Sequence, residues 1–419
     1  LQFSVGNFLS FKNKVIFSMI ASSGKEHEVG HVVPLNNRLR ILKSAVLYGA
    51  NASGKSNLFK AMRFVATLVF TSSKDTQATE KIKVTNYKLS SETENRPCYF
   101  EVIFQHKNVK YKYGFEVDVK KVHKEWLFYA PKGKETKLFI RHGRKIDIGL
   151  KFKEGKGLIA KTRDNALFLS VAAQFNGPIA IGIMKWFDSF RIISGLDDLG
   201  YRKFAVEKLK NAKYKVAILK FLKEADLGIE DIHAETVKIQ HEKLPKEVQA
   251  FFKAIPKDFK ELFSVRLSAM HKKYNAKNKK ISQIPLDFDA YESEGTKKLF
   301  SLSAPIIDTL KTGKTVVVDE LDARLHPVIL RFLISLFNSP QNQSKAQLIF
   351  ASHDTNILSN KYFRRDQIWF TEKDKYGATD LYSLADYSIR KDASFEKDYI
   401  LGKYGAIPFI NNADNILDK

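Results

Sequence analysis

Apolar and polar residues alternate from Leu1 to Ser18 with the two-residue period of a strand that buries one face. A polar, glycine-containing stretch follows from Ala21 to Asn37. The largely apolar run from Ile41 to Tyr48 then predicts a buried strand. Between Arg96 and Gly149, short runs rich in Phe, Tyr, Val and Ile, such as Tyr99 to Phe104, Lys110 to Val117 and Trp126 to Tyr129, alternate with charged or glycine-containing turns. These predict antiparallel strands. The period then lengthens. Ala166 to Phe190 has helix-like apolar spacing, and Phe204 to Leu262 shows further amphipathic helical patterns broken near Gly228, Pro245 and Pro256. Val265 to Tyr274 and Ile281 to Phe288 look like strands around the polar turn Asn275 to Lys280, and four more short strands are expected at Thr315 to Val318, Gln347 to Ala351, Gln367 to Thr371 and Thr379 to Ser383.

Chemistry enters at the end of the Ile41 to Tyr48 strand. Gly49-Ala50-Asn51-Ala52-Ser53-Gly54-Lys55-Ser56 fits the phosphate-binding loop pattern between a strand and a helix. Its glycines let backbone N–H groups face the phosphates, Lys55 reaches the β- and γ-phosphates, and the Ser56 hydroxyl ligates Mg²⁺. Gly49, Asn51, Gly54, Lys55, Ser56 and Asn57 are the candidate nucleotide-binding residues. Phosphate loops read phosphates and not the base, so ATP and GTP are not distinguished. Thr315-Val316-Val317-Val318-Asp319-Glu320 has the form of a Walker B strand. Asp319 at its tip suits Mg²⁺, and Glu320 suits the general base that orients and deprotonates the attacking water. Without the phosphate loop, the same pair would read as an acidic helix cap.

Composition narrows the setting. The chain has 419 residues, 44% of them hydrophobic, and 11 prolines, as a globular protein of two or three lobes would. No apolar run is long enough to span a bilayer, no export signal is visible, and one cysteine, Cys98, fits a reducing cytoplasm. A cytoplasmic protein without a membrane partner is expected. The net charge of +24 is concentrated: Lys107 to Arg163 holds 17 Lys/Arg against 6 Asp/Glu, and Arg202 to Lys280 holds 20 against 10. Such an insert attracts nucleic acid or an acidic protein, or is only a solvated lysine-rich surface. Lysine outnumbers arginine and aromatics are not interleaved, which argues only weakly for base recognition.

Several further motifs keep a familiar order. Leu321-Asp322-Ala323-Arg324-Leu325-His326-Pro327 resembles the D-loop of ATP-binding-cassette (ABC) ATPases. Ser293 and Gly295, before an apolar helix and upstream of Asp319, occupy the place of the ABC signature, although Ser-x-Gly alone is usually a helix cap. His353, after the Gln347 to Ala351 strand, matches the switch histidine that contacts the γ-phosphate. The whole order resembles ABC ATPase heads of the SMC, RecF and OLD type. Arg364-Arg365-Asp366-Gln367-Ile368-Trp369-Phe370 and Tyr404-Gly405-Ala406-Ile407-Pro408-Phe409 look like the OLD-like ATPases of prokaryotic abortive-infection and antiphage operons, of the AbiL, PARIS and Septu kinds.

That resemblance implies an α/β P-loop NTPase of ABC-ATPase head type, with an antiparallel β-subdomain and a helical insert. The corresponding division is 1–95 with Walker A, 96–163 for the β-subdomain, 164–264 for the helical insert, and 265–419 for signature, Walker B, D-loop and switch histidine. It implies ATP and Mg²⁺ as ligands and a homodimer or higher oligomer in which Ser293, Gly295 and Asp322 act across an interface. Gln174 is the candidate for a Q-loop glutamine, a helix-surface glutamine being the alternative. An aromatic residue stacking on adenine is expected from the N-terminal strands, Phe8 or Phe11, with nothing to select between them. Only 65 residues follow Asp354, too few for a nuclease domain in addition to the rest of the ATPase sheet. A sensor or scaffold that controls a separate effector nuclease encoded nearby (Toprim-, HNH- or RloB-like) is therefore expected, with a nucleic acid or phage protein as trigger. The alternative is a DNA-repair or chromosome ATPase of RecF/SMC kind that binds DNA directly.

Overall fold

Strands β1 (Gln2–Gly6) and β2 (Val15–Ser18) pair antiparallel with Phe3 opposite Phe17, so the N-terminal alternation is a hairpin with one buried face. The computed structural model describes residues 1–35, 39–238, 263–390 and 393–408. The chain forms two units, one of Leu1–Leu196, Thr309–Ala323 and Leu330–Lys419, the other of Asp197–Asp308 and Arg324–Ile329.

In the first unit a short helix, α1 (Glu28–His31), precedes a small pair, β3 (Val32–Pro34) and β4 (Arg40–Leu42), which leads into β5 (Ser44–Tyr48) and helix α2 (Lys55–Thr71). Strands β6 (Cys98–His106), β7 (Val109–Val117), β8 (Val122–Ala130), β9 (Thr136–His142) and β10 (Lys145–Ile148) then form a meander. The hairpin joins its edge, giving seven strands in the order β10-β9-β8-β7-β6-β1-β2. Phe3, Phe17, Val102, Tyr113, Leu127 and Phe139 line one face of this sheet and share a core with Leu58, Met62 and Val65 of α2. The antiparallel strands thus bury one side of the helix that opens at the phosphate loop.

Helices α3 (Phe168–Gln174) and α4 (Pro178–Asp188) follow as expected, but Phe190–Ser194 is a strand, β11. After the strands of the second unit, β12 (Ile229–Lys238), β13 (Phe263–Tyr274) and β14 (Lys280–Asp287), come β15 (Thr315–Asp319), β16 (Gln347–Ala351), β17 (Ile368–Lys373) and β18 (Thr379–Ser383). The order β11-β15-β16-β5-β17-β18 makes a sheet whose first five strands are parallel, with β18 antiparallel at its edge. This is the expected α/β arrangement: a parallel core sheet, a helix leaving β5, and an antiparallel sheet on the same core.

The second unit holds α5 (Leu199–Leu209), α6 (Ala212–Glu224), the antiparallel sheet β12-β13-β14, α7 (Phe288–Tyr291) and most of α8 (Glu294–Thr312). The helical expectation fails at Ile229–Lys238. Ile229 and Ile232 are both buried although three residues apart, a helix-like spacing that a bulge between Ile229 and Asp231 makes possible in a strand. The breaks at Pro245 and Pro256 lie outside the described residues. Helix α9 (Pro327–Phe337) leads into β16, and α10 (Phe395–Ile400) closes the described chain. Among the described residues no helix is long and apolar enough to cross a membrane.

The Arg364-Arg365-Asp366-Gln367 phrase proves to be a buried polar hub. Arg364 pairs with Asp366 and donates to the carbonyl of Gly24, while Gln367 Nε2 donates to the carbonyl of Ser44 at the start of β5. Gln367 Oε1 lies 2.7 Å from Nδ1 of buried His31. Burial drives the His31 pKa from 6.5 down to about 4, opposed by the Gln367 bond and assisted by His27, Arg364 and Lys43. Between these values the unfolded chain binds more protons, so the stability conferred by neutral His31 is complete above pH 6.5 and disappears as pH falls to about 4. The loss should be roughly 3 kcal/mol. His31→Gln should flatten the fall in melting temperature over that window, and an unchanged slope would refute the assignment.

Candidate functional site

Every residue of β5 is buried, so the strand delivers the chain rigidly to the phosphate loop. Gly49 has φ 153° and no room for a side chain: a Cβ would stand 2.4 Å from the carbonyl oxygen of Thr371. Gly54 has φ 119°, and its Cβ would meet Thr379 Oγ1 at 2.4 Å. Both glycines are therefore demanded by close approach as well as by backbone conformation. Ser53 Oγ bonds to Thr371 Oγ1 at 2.6 Å, and Thr379 Oγ1 lies 2.7 Å from the Ser53 carbonyl. Asn57 donates to Ser10 Oγ at 2.8 Å. Lys55, the first residue of α2, folds back under the loop, with Nζ 2.7 Å from the Gly49 carbonyl and 3.1 Å from that of Ala50. Burial lowers its pKa to about 8, and Asp319, Glu320 and Asp322 pull in the opposite direction. No described carboxylate pairs directly with this ammonium, whose two hydrogen bonds go to carbonyls, so a phosphate would add the direct anionic partner.

At the end of β15, Asp319 Oδ1 is buried without a hydrogen-bond partner among the described residues, as is Asp322 Oδ1. A buried carboxylate oxygen in that state is costly unless a cation or a bound water meets it. Asp319 therefore fits the Mg²⁺ role, together with Ser56. No group of three or more His, Cys, Asp or Glu among the described residues is arranged to hold a metal, so phosphate oxygens would complete the shell. Glu320 has a left-handed backbone, φ 53°, which costs a residue other than glycine about 1–3 kcal/mol. Part of what holds it there is the chain after β11. The Gly195 N–H donates to the Asp319 carbonyl at 2.6 Å, and a Cβ on Gly195 would lie 2.0 Å from the Glu320 carbonyl.

A cavity of about 300 Å³ opens at the loop, lined by Asn51 through Asn57 and by Lys60, Glu320, His353 and Lys373. Nucleotide-binding and water-activating candidates from three distant stretches of sequence thus share one space. The His353 backbone N–H donates to Asp322 Oδ2 at 3.0 Å, so Asp322 fixes the chain at His353 from within the same chain. Desolvation first, and the Lys55 charge second, hold the His353 pKa below its ordinary value against the pull of Asp322, Glu320 and Asp319. This shift favours the neutral imidazole, which can still donate one hydrogen bond. A second cavity of about 730 Å³ adjoins the outer side of the loop, walled by His353, Lys373, Tyr399 and Ile407.

Other candidates lie elsewhere. Gln174 is exposed at the last turn of α3 and lines neither cavity. Phe8 packs on Phe64 and Phe100 at 5.7 and 5.2 Å, Phe11 is fully buried, and neither lines the two cavities at the loop. Ser293 and Gly295 belong to the second unit. There Ser293 Oγ accepts the Thr296 N–H at 3.1 Å at the start of α8, and Gly295 packs closely on the Arg324 carbonyl. Lys373, Thr371 and Thr379 were missed by sequence reasoning. The available signal was that β17 ends, like β15 and β16, at the carboxyl edge of a parallel sheet, where ligands bind.

A family model described as "AAA domain, putative AbiEii toxin, Type IV TA system" matches residues 44–359. No curated protein matches the sequence significantly. Among solved structures, the chain is similar to an SmcHead bound to the C-winged helix domain of ScpA, at 14% identity and TM-score 0.44, covering 94% of this chain and 98% of that one. It is also similar to the SMC head domain from Thermotoga maritima, at 12% identity and TM-score 0.39, covering 93% and 98%. The Smc head domain with a coiled coil and joint derived from Pyrococcus yayanosii gives 11% identity and TM-score 0.42, covering 96% and 98%.

Proposed function

The chain belongs to the family described as "AAA domain, putative AbiEii toxin, Type IV TA system", and from that premise we propose that it is an ATP-binding and ATP-hydrolysing switch that controls a separate effector in an antiphage system. The observation that carries this is the meeting of the phosphate loop, Glu320 and His353 around one cavity. In the proposed cycle the loop N–H groups and Lys55 hold the phosphates, while Glu320 orients and deprotonates water. Neutral His353 donates to the γ-phosphate. Mg²⁺ held by Ser56 and Asp319 would neutralise charge developing on the phosphate oxygens. Two copies would close on nucleotide, with Ser293 and Gly295 of one facing the phosphates of the other. Exposure of Ser293 at the start of a 19-residue helix supports that role, because such a terminus favours anions. Asp322 would act across the same interface while keeping its bond to the His353 N–H.

A switch needs different affinities in two states and not rapid turnover. The effector, a nuclease encoded nearby, would read the closed state, and a family description naming a TA system agrees with a second component. The test is the mass of Glu320→Gln protein by light scattering with and without Mg-ATP. A nucleotide-dependent doubling is expected. A mass that stays monomeric with nucleotide bound would overturn the roles of Ser293 and Gly295 between subunits.

A further inference from the structure

The sharpest concentration of charge among the described residues lies in the second unit, at the tip of the β13–β14 hairpin. Residues 272–280 are all exposed and include five lysines, Lys272, Lys273, Lys277, Lys279 and Lys280, with no carboxylate. The one acid beside them is Glu230 of β12, 3.0 Å from Lys272 and 3.9 Å from Lys280. Its pKa is lowered by these two lysines and by Lys223. Lys273, Lys277 and Lys279 have no carboxylate partner among the described residues.

The tip is also ordered. Asn275 Oδ1 accepts the N–H groups of Lys277 and Lys279 at 3.0 and 2.9 Å, and the Asn275 N–H donates to the Lys279 carbonyl at 3.0 Å. Asn278 takes the left-handed conformation that such a turn requires, φ 55°. Like charges are thus held together by a built turn, at an electrostatic cost that a polyanion would relieve.

We propose that this hairpin tip is a docking surface for the phosphate backbone of duplex DNA. Lysine is a point charge without the planar fork that reads guanine, so the contact is to phosphates and independent of sequence. Tyr274 is the only aromatic residue in the tip, which suits a duplex better than the stacked bases of a single strand. Protein interfaces bury aromatic and arginine anchors and are poor in lysine, the reverse of this composition.

This inference stands apart from the nucleotide chemistry, and its test needs no nucleotide. Binding of the full chain to two unrelated duplexes of about 30 base pairs would be followed by fluorescence anisotropy between about 50 and 200 mM salt. Wild type should bind both equally, with a log–log salt slope near −4, as expected for four or five phosphate contacts. The triple variant Lys273→Ala, Lys277→Ala, Lys279→Ala should bind at least tenfold more weakly, with a slope shallower by about 2–3, while its melting temperature and basal hydrolysis stay unchanged. Equal affinity and slope in variant and wild type would overturn the proposal. So would displacement of the duplex by polyglutamate at equal charge concentration, which would mark an acidic protein as the partner.

Discussion

Lys55→Ala protein should fail to bind nucleotide at concentrations that saturate the wild type. The ammonium is held under the loop by two carbonyls, of Gly49 and Ala50, and among the described residues no carboxylate pairs with it directly. Losing it removes charge-assisted bonds of about 1.5–3 kcal/mol each and leaves phosphate charge uncompensated. An affinity loss of a hundredfold or more follows at roughly 1.4 kcal/mol per factor of ten. The fold should survive, because the substitution removes a buried cation whose lowered pKa records an unfavourable environment. Thermal melting checks both halves. Wild type should gain stability with Mg-ATP, and the variant should show a similar or higher melting temperature without nucleotide and no shift with it. A full shift in the variant would exclude Lys55 as a phosphate ligand.

Glu320→Gln should bind nucleotide normally yet hydrolyse it about 10²–10⁴ times more slowly, the range set by loss of a general base. The amide keeps the size and the left-handed backbone that Gly195 helps to hold, so the change is confined to proton acceptance. Single-turnover hydrolysis with radiolabelled ATP separates this from slow product release. A wild-type rate would remove Glu320 from the role of base.

The Gly49 to Ser56 turn and the Thr315 to Asp319 strand were legible because each is a contiguous local pattern, the first a strand, a turn and a helix in succession. The supports of that loop were not. Ser53 meets Thr371 across 318 residues and Thr379 across 326. No local pattern encodes those pairings. The same limit explains Phe8 and Phe11, whose apolar spacing serves a core and a base-stacking ring equally well until the α2 and β6 rings close over Phe8. At β12 a single extra residue made a strand imitate a helix. The Arg364-Arg365-Asp366-Gln367 phrase was noticed for its resemblance, and in the structure it ties the segment around Gly24 to the base of β5.

By itself the sequence determined the α/β class, the phosphate loop, the paired carboxylates Asp319 and Glu320, and His353 at a strand end. The loop and the carboxylate pair each depend on residues within one turn of one another, where backbone geometry leaves few alternatives. Tertiary structure alone decided which distant residues complete the site and that the N-terminal hairpin joins the antiparallel sheet. Strand order and register govern those meetings, and they follow from burying all the apolar faces of a unit together, a property of the packed chain and of no single segment.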